Sequence, residues 1–107
     1  MARYTNFFAS VLPASNLREA LPDVLQRCGL NMVYQDGDYI MAKEKPGHVA
    51  YSQLATVEVI IDSAKERQPN RSSTVNLVVK NEELPLKQNN HCRQIFQIVT
   101  QAIDMAS

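Results

Sequence analysis

At 107 residues and 12.1 kDa the chain has the length of one domain, enough to bury roughly two-thirds of its unfolded surface around a single core. It is 45% hydrophobic and 21% charged, which excludes the polar, charge-rich composition of a chain that stays unfolded. Lys plus Arg equal Asp plus Glu at 11 each, which excludes a global field drawing the protein to nucleic acid or to an anionic membrane.

No stretch approaches the ~20 apolar residues of a membrane span. The opening "MARYTNFF" lacks the apolar core and cleavage site of a secretory signal, so a cytoplasmic location is expected. Cys28 and Cys92 are too few for a disulfide scaffold and have no CxxC or histidine-rich spacing, so reduced thiols, no metal site and no cofactor are expected. No repeat or linker-like tract breaks the chain, and residues 1–107 read as one domain.

The first element, "RYTNFFASVL" at residues 3–12, is rich in aromatic and β-branched types and ends at Pro13, which predicts a strand. In "ASNLREALPDVLQRCG" the residues Leu17, Ala20, Leu21, Val24, Leu25 and Cys28 recur at i, i+3, i+4, i+7 and form one helical stripe. Asn16 with Glu19 has the spacing of a capping box, and Gly29 is a stop. Pro22 removes a backbone hydrogen bond at a cost of about 3 kcal/mol, which predicts a kink or a helix that restarts there.

"NMVYQDGDYIMAKE" places Asp36-Gly37 between two β-type runs, the pattern of a two-residue hairpin. With Gln35 opposite Asp38, Tyr34 pairs with Tyr39, Val33 with Ile40 and Met32 with Met41. Met32, Tyr34, Tyr39 and Met41 then share one sheet face, and Val33, Ile40 and Ala42 the other.

Past the loop "KPGHVA", "SQLATVEVIIDSA" turns Ala55, Val57, Val59 and Ile61 inward and Thr56, Glu58 and Asp62 outward, with Ile60 the exception. Its expected partner "STVNLVVKNEE" turns Val75, Leu77 and Val79 inward, with Val78 the exception. Between them Lys65, Arg67 and Arg71 read as a solvated turn, with phosphate binding as the lesser reading. Glu82 and Glu83 are assigned to solvent. A helix from about Asn90 to Met105, capped by Asn89 or Asn90, closes the chain.

The expected fold class is therefore α+β: a single antiparallel sheet of about five strands in β-α-β-β-β-β-α order, with a long C-terminal helix packed across it. In this order, in the amphipathic first helix, in the Asp36-Gly37 hairpin and in the last helix "NNHCRQIFQIVTQAI", the chain resembles helix-grip (START-like) domains and, equally, a half-repeat of the TATA-box-binding protein. In texture it is also similar to small proteins of photosynthetic bacteria. The helix-grip resemblance implies an apolar ligand held between the last helix and the sheet; the other implies a nucleic-acid-binding sheet.

Chemistry-bearing patterns are sparse. Cys92 heads the stripe Cys92, Ile95, Phe96, Val99, Ile103, which is core spacing, and a buried thiol carries little thiolate. His91, in helical phase with Ile98 and Ala102, is expected at a groove mouth, with acid/base or ligand-contact work as the sharper alternative. His48 lies in a loop without further ligands. Gly29, Gly37 and Gly47 are isolated, so no glycine-rich phosphate loop is present. No catalytic residue is assigned and an enzyme is not expected.

Surplus apolar surface on both sheet faces points to an interface or a ligand groove. The leading expectation is a non-enzymatic protein-binding or assembly module, a homodimer among its forms, that engages a protein partner through Met32, Tyr34, Tyr39 and Met41, with His91 as a further contact. A carrier of an apolar small molecule is the alternative and a nucleic-acid-binding sheet the third reading.

Overall fold

The structure is a computed structural model that describes residues 1–10, 12–47, 49–62, 73–84 and 90–106. The residues of the basic turn and His48 lie outside that set. Five strands and two helices follow in the expected order: β1 Ala2–Ser10, α1 Ala14–Arg27, β2 Leu30–Asp36, β3 Tyr39–Glu44, β4 Thr56–Asp62, β5 Ser73–Asn81 and α2 His91–Ala106. The strands form one antiparallel sheet in the spatial order β1-β5-β4-β3-β2.

Both helices lie on one face. α2 rests on β1 and β5, while α1 rests on β2 and β4 and on α2. The residues turned towards them follow the period of two that a pleated strand imposes: Tyr4 and Phe8 from β1, Ile40 and Ala42 from β3, Val57, Val59 and Ile61 from β4, and Val75, Leu77 and Val79 from β5. From the helices come Leu17, Leu21, Leu25, Cys92, Val99 and Ile103, all buried, with Phe96 partly so. Tyr4 and Phe96 stack with ring centroids 5.6 Å apart. These side chains occupy the space between α2 and the sheet.

α1 departs from expectation at its start. It begins at Ala14 with Pro13 in the cap position, and Asn16 makes no cap; instead the N–H groups of Asn16 and Leu17 both reach the Pro13 carbonyl at 3.1 and 3.2 Å. A proline suits a helix entrance because it supplies no N–H of its own there. Pro22 sits inside this helix without dividing it. Its missing N–H orphans the carbonyl four residues back, on Arg18, and that carbonyl accepts a hydrogen bond from Gln35 Nε2 at 3.3 Å. Arg18 Nε also donates to Asp38 Oδ1 at 2.6 Å, so the hairpin tip is tied to α1 twice through Arg18, one turn before Pro22.

The hairpin is displaced by one residue from the expected pairing. Asp36 pairs with Tyr39, and Gly37 and Asp38 are the two turn residues, Gly37 with φ +57°. The register then shifts between Met32 and Tyr34, where Val33 bulges out. An unbulged strand with Tyr34 outward would also turn Met32 and Leu30 outward, because each is an even step away. The extra residue changes the parity: Leu30 is buried and Met32 packs against the core opposite Ala42. The expectation that Met32 shares a face with Tyr34, and Val33 with Ile40, is thereby corrected.

Candidate binding surface on the open sheet face

Among the described residues, no element covers the face turned away from the helices. Cross-strand pairing sets it out in rows, read from β1 to β2: Arg3, Lys80, Thr56, Lys43, Asn31; then Thr5, Val78, Glu58, Met41, Tyr34; then Phe7, Asn76, Ile60, Tyr39, Asp36. Phe7 is 62% exposed, Tyr34 52% and Ile60 43%, which is far above what side chains of this size show in a core. Met41, Tyr39 and Val78 are half-buried among them. The aromatic pair Tyr34 and Tyr39 is tilted, with centroids 6.0 Å apart.

The polar groups among them are already organised. Lys80 Nζ lies 2.7 Å from Glu58 Oε1, and this bond, opposed by burial and aided by the Tyr39 hydroxyl and the nearby Arg3, holds the Glu58 carboxyl below the ordinary 4.5. Glu58 is therefore charged and matched at neutral pH. The Tyr34 hydroxyl donates to Asp36 Oδ2 at 3.2 Å. Tyr34, Tyr39 and Met41 are thus together as expected, whereas Met32 and His91 lie on the helix side.

His91 opens α2. Its Nε2 is 2.8 and 2.9 Å from the two Glu44 oxygens, and since a carboxylate only accepts, this nitrogen carries a proton and donates. Glu44 Oε1 also accepts from the Ala55 N–H at 3.1 Å. Glu83, assigned to solvent from sequence, is a helix cap instead. Its Oε1 accepts from the Cys92 N–H at 3.0 Å and from Asn81 Nδ2 at 2.7 Å, and its Oε2 from the His91 N–H at 3.4 Å. A carboxylate here meets the positive end of the helix. Asn90 completes the cap, accepting from the Arg93 N–H at 2.8 Å and donating to the Tyr4 hydroxyl at 2.7 Å. No sequence spacing announced Glu44 or Glu83, because their partners are 47 and 8 or 9 residues away.

Cys92 is fully buried, with its sulfur 3.5 Å from the Val79 carbonyl oxygen and 3.7 Å from that of Ala2. Burial, together with the negative charges of Glu83 and Glu44, pushes its thiol up to about 11, so almost no thiolate exists near neutrality. Native protein treated with a thiol reagent at pH 8 is therefore expected to label at Cys28, which is partly exposed, well before Cys92. Equal rates, read by peptide mass mapping, would contradict this.

Two clefts remain. One of about 450 Å³ runs along the outside of the helix pair between Val24, Cys28, Ile98, Ala102 and Met105. Another of about 460 Å³ adjoins the first row of the open face, between Lys43, Lys80, Val33, Tyr51 and Leu54. No helix is long and apolar enough to cross a membrane among the described residues.

Neither the family models nor the curated proteins contain a match to this chain. Solved structures do. DR_A0006 from Deinococcus radiodurans aligns over 97% of this chain and 93% of its own at 12% identity, with a TM-score of 0.57. Ara h 8.0201, a Bet v 1 homologue, aligns over 98% and 96% at 12% identity and 0.54. The fold is of the helix-grip type. At 12% identity this likeness concerns backbone arrangement, and it speaks for the helix-grip half of the resemblance drawn from the sequence.

Proposed function

We propose that the protein is a non-enzymatic binding module that engages a protein partner through the open face of its sheet. The observation that carries this reading is the patch of Ile60, Tyr39, Met41 and Tyr34, with Phe7 beyond Asn76 on the edge strand, exposed or half-exposed on a face with no covering element among the described residues. Contiguous apolar surface rich in aromatics and methionine is what protein interfaces select. The inert thiol of Cys92 and the engagement of His91 with Glu44 support a role without catalysis. The joint change Tyr34→Ser and Met41→Lys should leave the circular-dichroism spectrum and melting temperature near those of the parent while reducing co-purified partner at least tenfold. Undiminished capture would sink the reading.

A second reading, a carrier of an apolar small molecule, is favoured by the helix-grip fold and by the cleft beside Ile98 and Ala102, whose volume lies within the ~300–1,000 Å³ of ligand sites. The groove under α2 is occupied by Tyr4, Phe8, Phe96 and Val99, so the cargo would sit on the outer side of that helix. Ala102→Phe should then abolish any extra mass that native mass spectrometry finds on protein purified from its own cells; retention of that mass would refute this placement.

A further inference from the structure

Hydrogen bonds elsewhere in the sheet fix which way the backbone of β1 points. The Ile61 N–H donates to the Asp38 carbonyl at 2.8 Å, on the β3 side. Backbone polar groups point to alternate sides along a strand, so those of Glu58 point to β5. Glu58 pairs with Val78, whose neighbours Leu77 and Val79 therefore face β1, where they pair with Asn6 and Tyr4. The N–H and C=O groups of Arg3, Thr5, Phe7 and Ala9 are left pointing away from the sheet. The Phe7 N–H agrees with this, since it donates to Oδ1 of the Asn6 side chain at 2.8 Å.

Among the described residues, nothing takes up the outward groups of Arg3, Thr5 and Ala9. The opposite edge is different: β2 has seven residues and is broken by the bulge at Val33, a device that discourages strand pairing. β1 runs for nine residues without a register shift. The side chains beside its outward groups, Arg3, Thr5, Phe7 and Ala9, are all exposed and belong to the open face.

Resting on the protein-binding reading above, we infer that the partner enters as a sixth strand, an extended segment antiparallel to β1 with an acidic residue opposite Arg3, a β-branched residue opposite Thr5 and an apolar residue opposite Phe7. An added strand draws affinity from main-chain hydrogen bonds and specificity from alternate side chains. Antiparallel entry continues the pattern of the whole sheet and lets Thr5 exchange both of its outward bonds with one residue. Arg3 selects the acid: it makes no ion pair, and the carboxylate its charge reaches, Glu58, is already bonded to Lys80 at 2.7 Å. Phe7, 62% exposed at the edge, selects the apolar residue. Along the partner the order is then apolar, spacer, β-branched, spacer, acidic. A second copy of β1 does not meet it, because β1 contains no acidic residue and no register against itself gives Arg3 a counter-charge. A sixth strand also extends the row of Phe7, Asn76, Ile60 and Tyr39 past its present end.

The test is fluorescence anisotropy of the whole chain with two labelled peptides of alternating Thr and Val. One carries Tyr and, four residues later, Glu; the other has Lys in place of that Glu. The first should bind the parent, the second should bind at least tenfold more weakly, and Arg3→Glu should reverse the preference. Thr5→Pro removes an N–H that points outward and none that bonds β5, and an edge strand tolerates proline there. This variant should keep the parent's melting temperature and bind the first peptide at least tenfold more weakly. On the parent itself, methylating the peptide nitrogen opposite Thr5 should abolish binding, whereas methylating the adjacent nitrogen, which points away from β1, should leave it intact. Equal binding of the two methylated peptides, no preference for Glu over Lys, or no binding of the first peptide up to about millimolar concentration would each overturn the inference. So would a parent that binds neither peptide and forms a dimer that Thr5→Pro dissolves, which would make a second copy the occupant. Partner capture lost with Tyr34→Ser and Met41→Lys but kept with Thr5→Pro refutes strand addition and leaves binding by the open face standing; capture that neither change reduces refutes both.

Discussion

Leu77→Ala is expected to lower the unfolding free energy by about 3–4 kcal/mol. Leu77 is fully buried at the middle of β5, between Asn6 of β1 and Val59 of β4. Removing its branched end leaves a cavity that neighbours held in a hydrogen-bonded sheet cannot close, and such truncations cost about 2–5 kcal/mol. Ile60→Ala makes the matching control. Ile60 is one strand away on the opposite face and 43% exposed, so its truncation should leave no cavity and cost only about 1 kcal/mol of lost apolar burial. Urea titration of both variants reads the contrast directly. Equal losses would mean that the open face is covered in the folded protein.

Glu83→Ala is expected to cost about 2–3 kcal/mol and to weaken α2 from its first turn. Three donors, the N–H groups of His91 and Cys92 and the side-chain amide of Asn81, lose their acceptor at once. Hydrogen bonds to a charged group contribute about 1.5–3 kcal/mol each when intact, but water can reach part of this half-buried site, which limits the total. Burial alone would raise the Glu83 carboxyl. The Asn81 amide, the two backbone N–H groups and the Gln53 amide outweigh burial and hold it below the ordinary 4.5. Because the folded value is the lower one, the unfolded chain takes up the proton first. The stabilisation is fully present above about pH 4.5 and fades as pH falls through the folded value. Glu58 contributes in the same direction. In Glu83→Gln the acid limb of stability against pH should become shallower, and an unchanged limb would show that the carboxylate does not act through its charge.

Much of this architecture was legible in the sequence where period and face coincide. The alternation in β4 and β5, including the outward Ile60 and Val78, reads directly, because a strand buried on one side leaves no other parity for its valines. The spacing Cys92, Val99, Ile103 likewise marks the inner side of α2, and Asn90 announces its cap. β2 was misread because a bulge changes parity without leaving any residue that marks it: nothing in "LNMVYQD" says that Val33 is the unpaired one. The row of Arg3, Lys80 and Lys43 was invisible for another reason. Its members come from strands that become neighbours only through the order β1-β5-β4-β3-β2, so a linear scan for clustered charge passes over them. Of the residues expected at the interface, Tyr34, Tyr39 and Met41 come together on one face; His91 acts on the other side, tying α2 to the end of β3 through Glu44.

That strand order also bears on how the chain is made. Among the described residues β1 finds its one strand neighbour in β5, some 63 to 79 residues downstream. At the ~5–20 residues per second of synthesis, the first nine residues to take up strand form, Phe7 and Phe8 among them, must wait roughly 3–16 s for their mate to be produced. A hairpin of β2 and β3 can close locally long before. Assembly of the sheet is therefore set to proceed from its later-translated strands back to its first. During that interval β1 is a strand without its mate that carries two adjacent aromatic side chains, an open edge of the kind that invites non-native pairing.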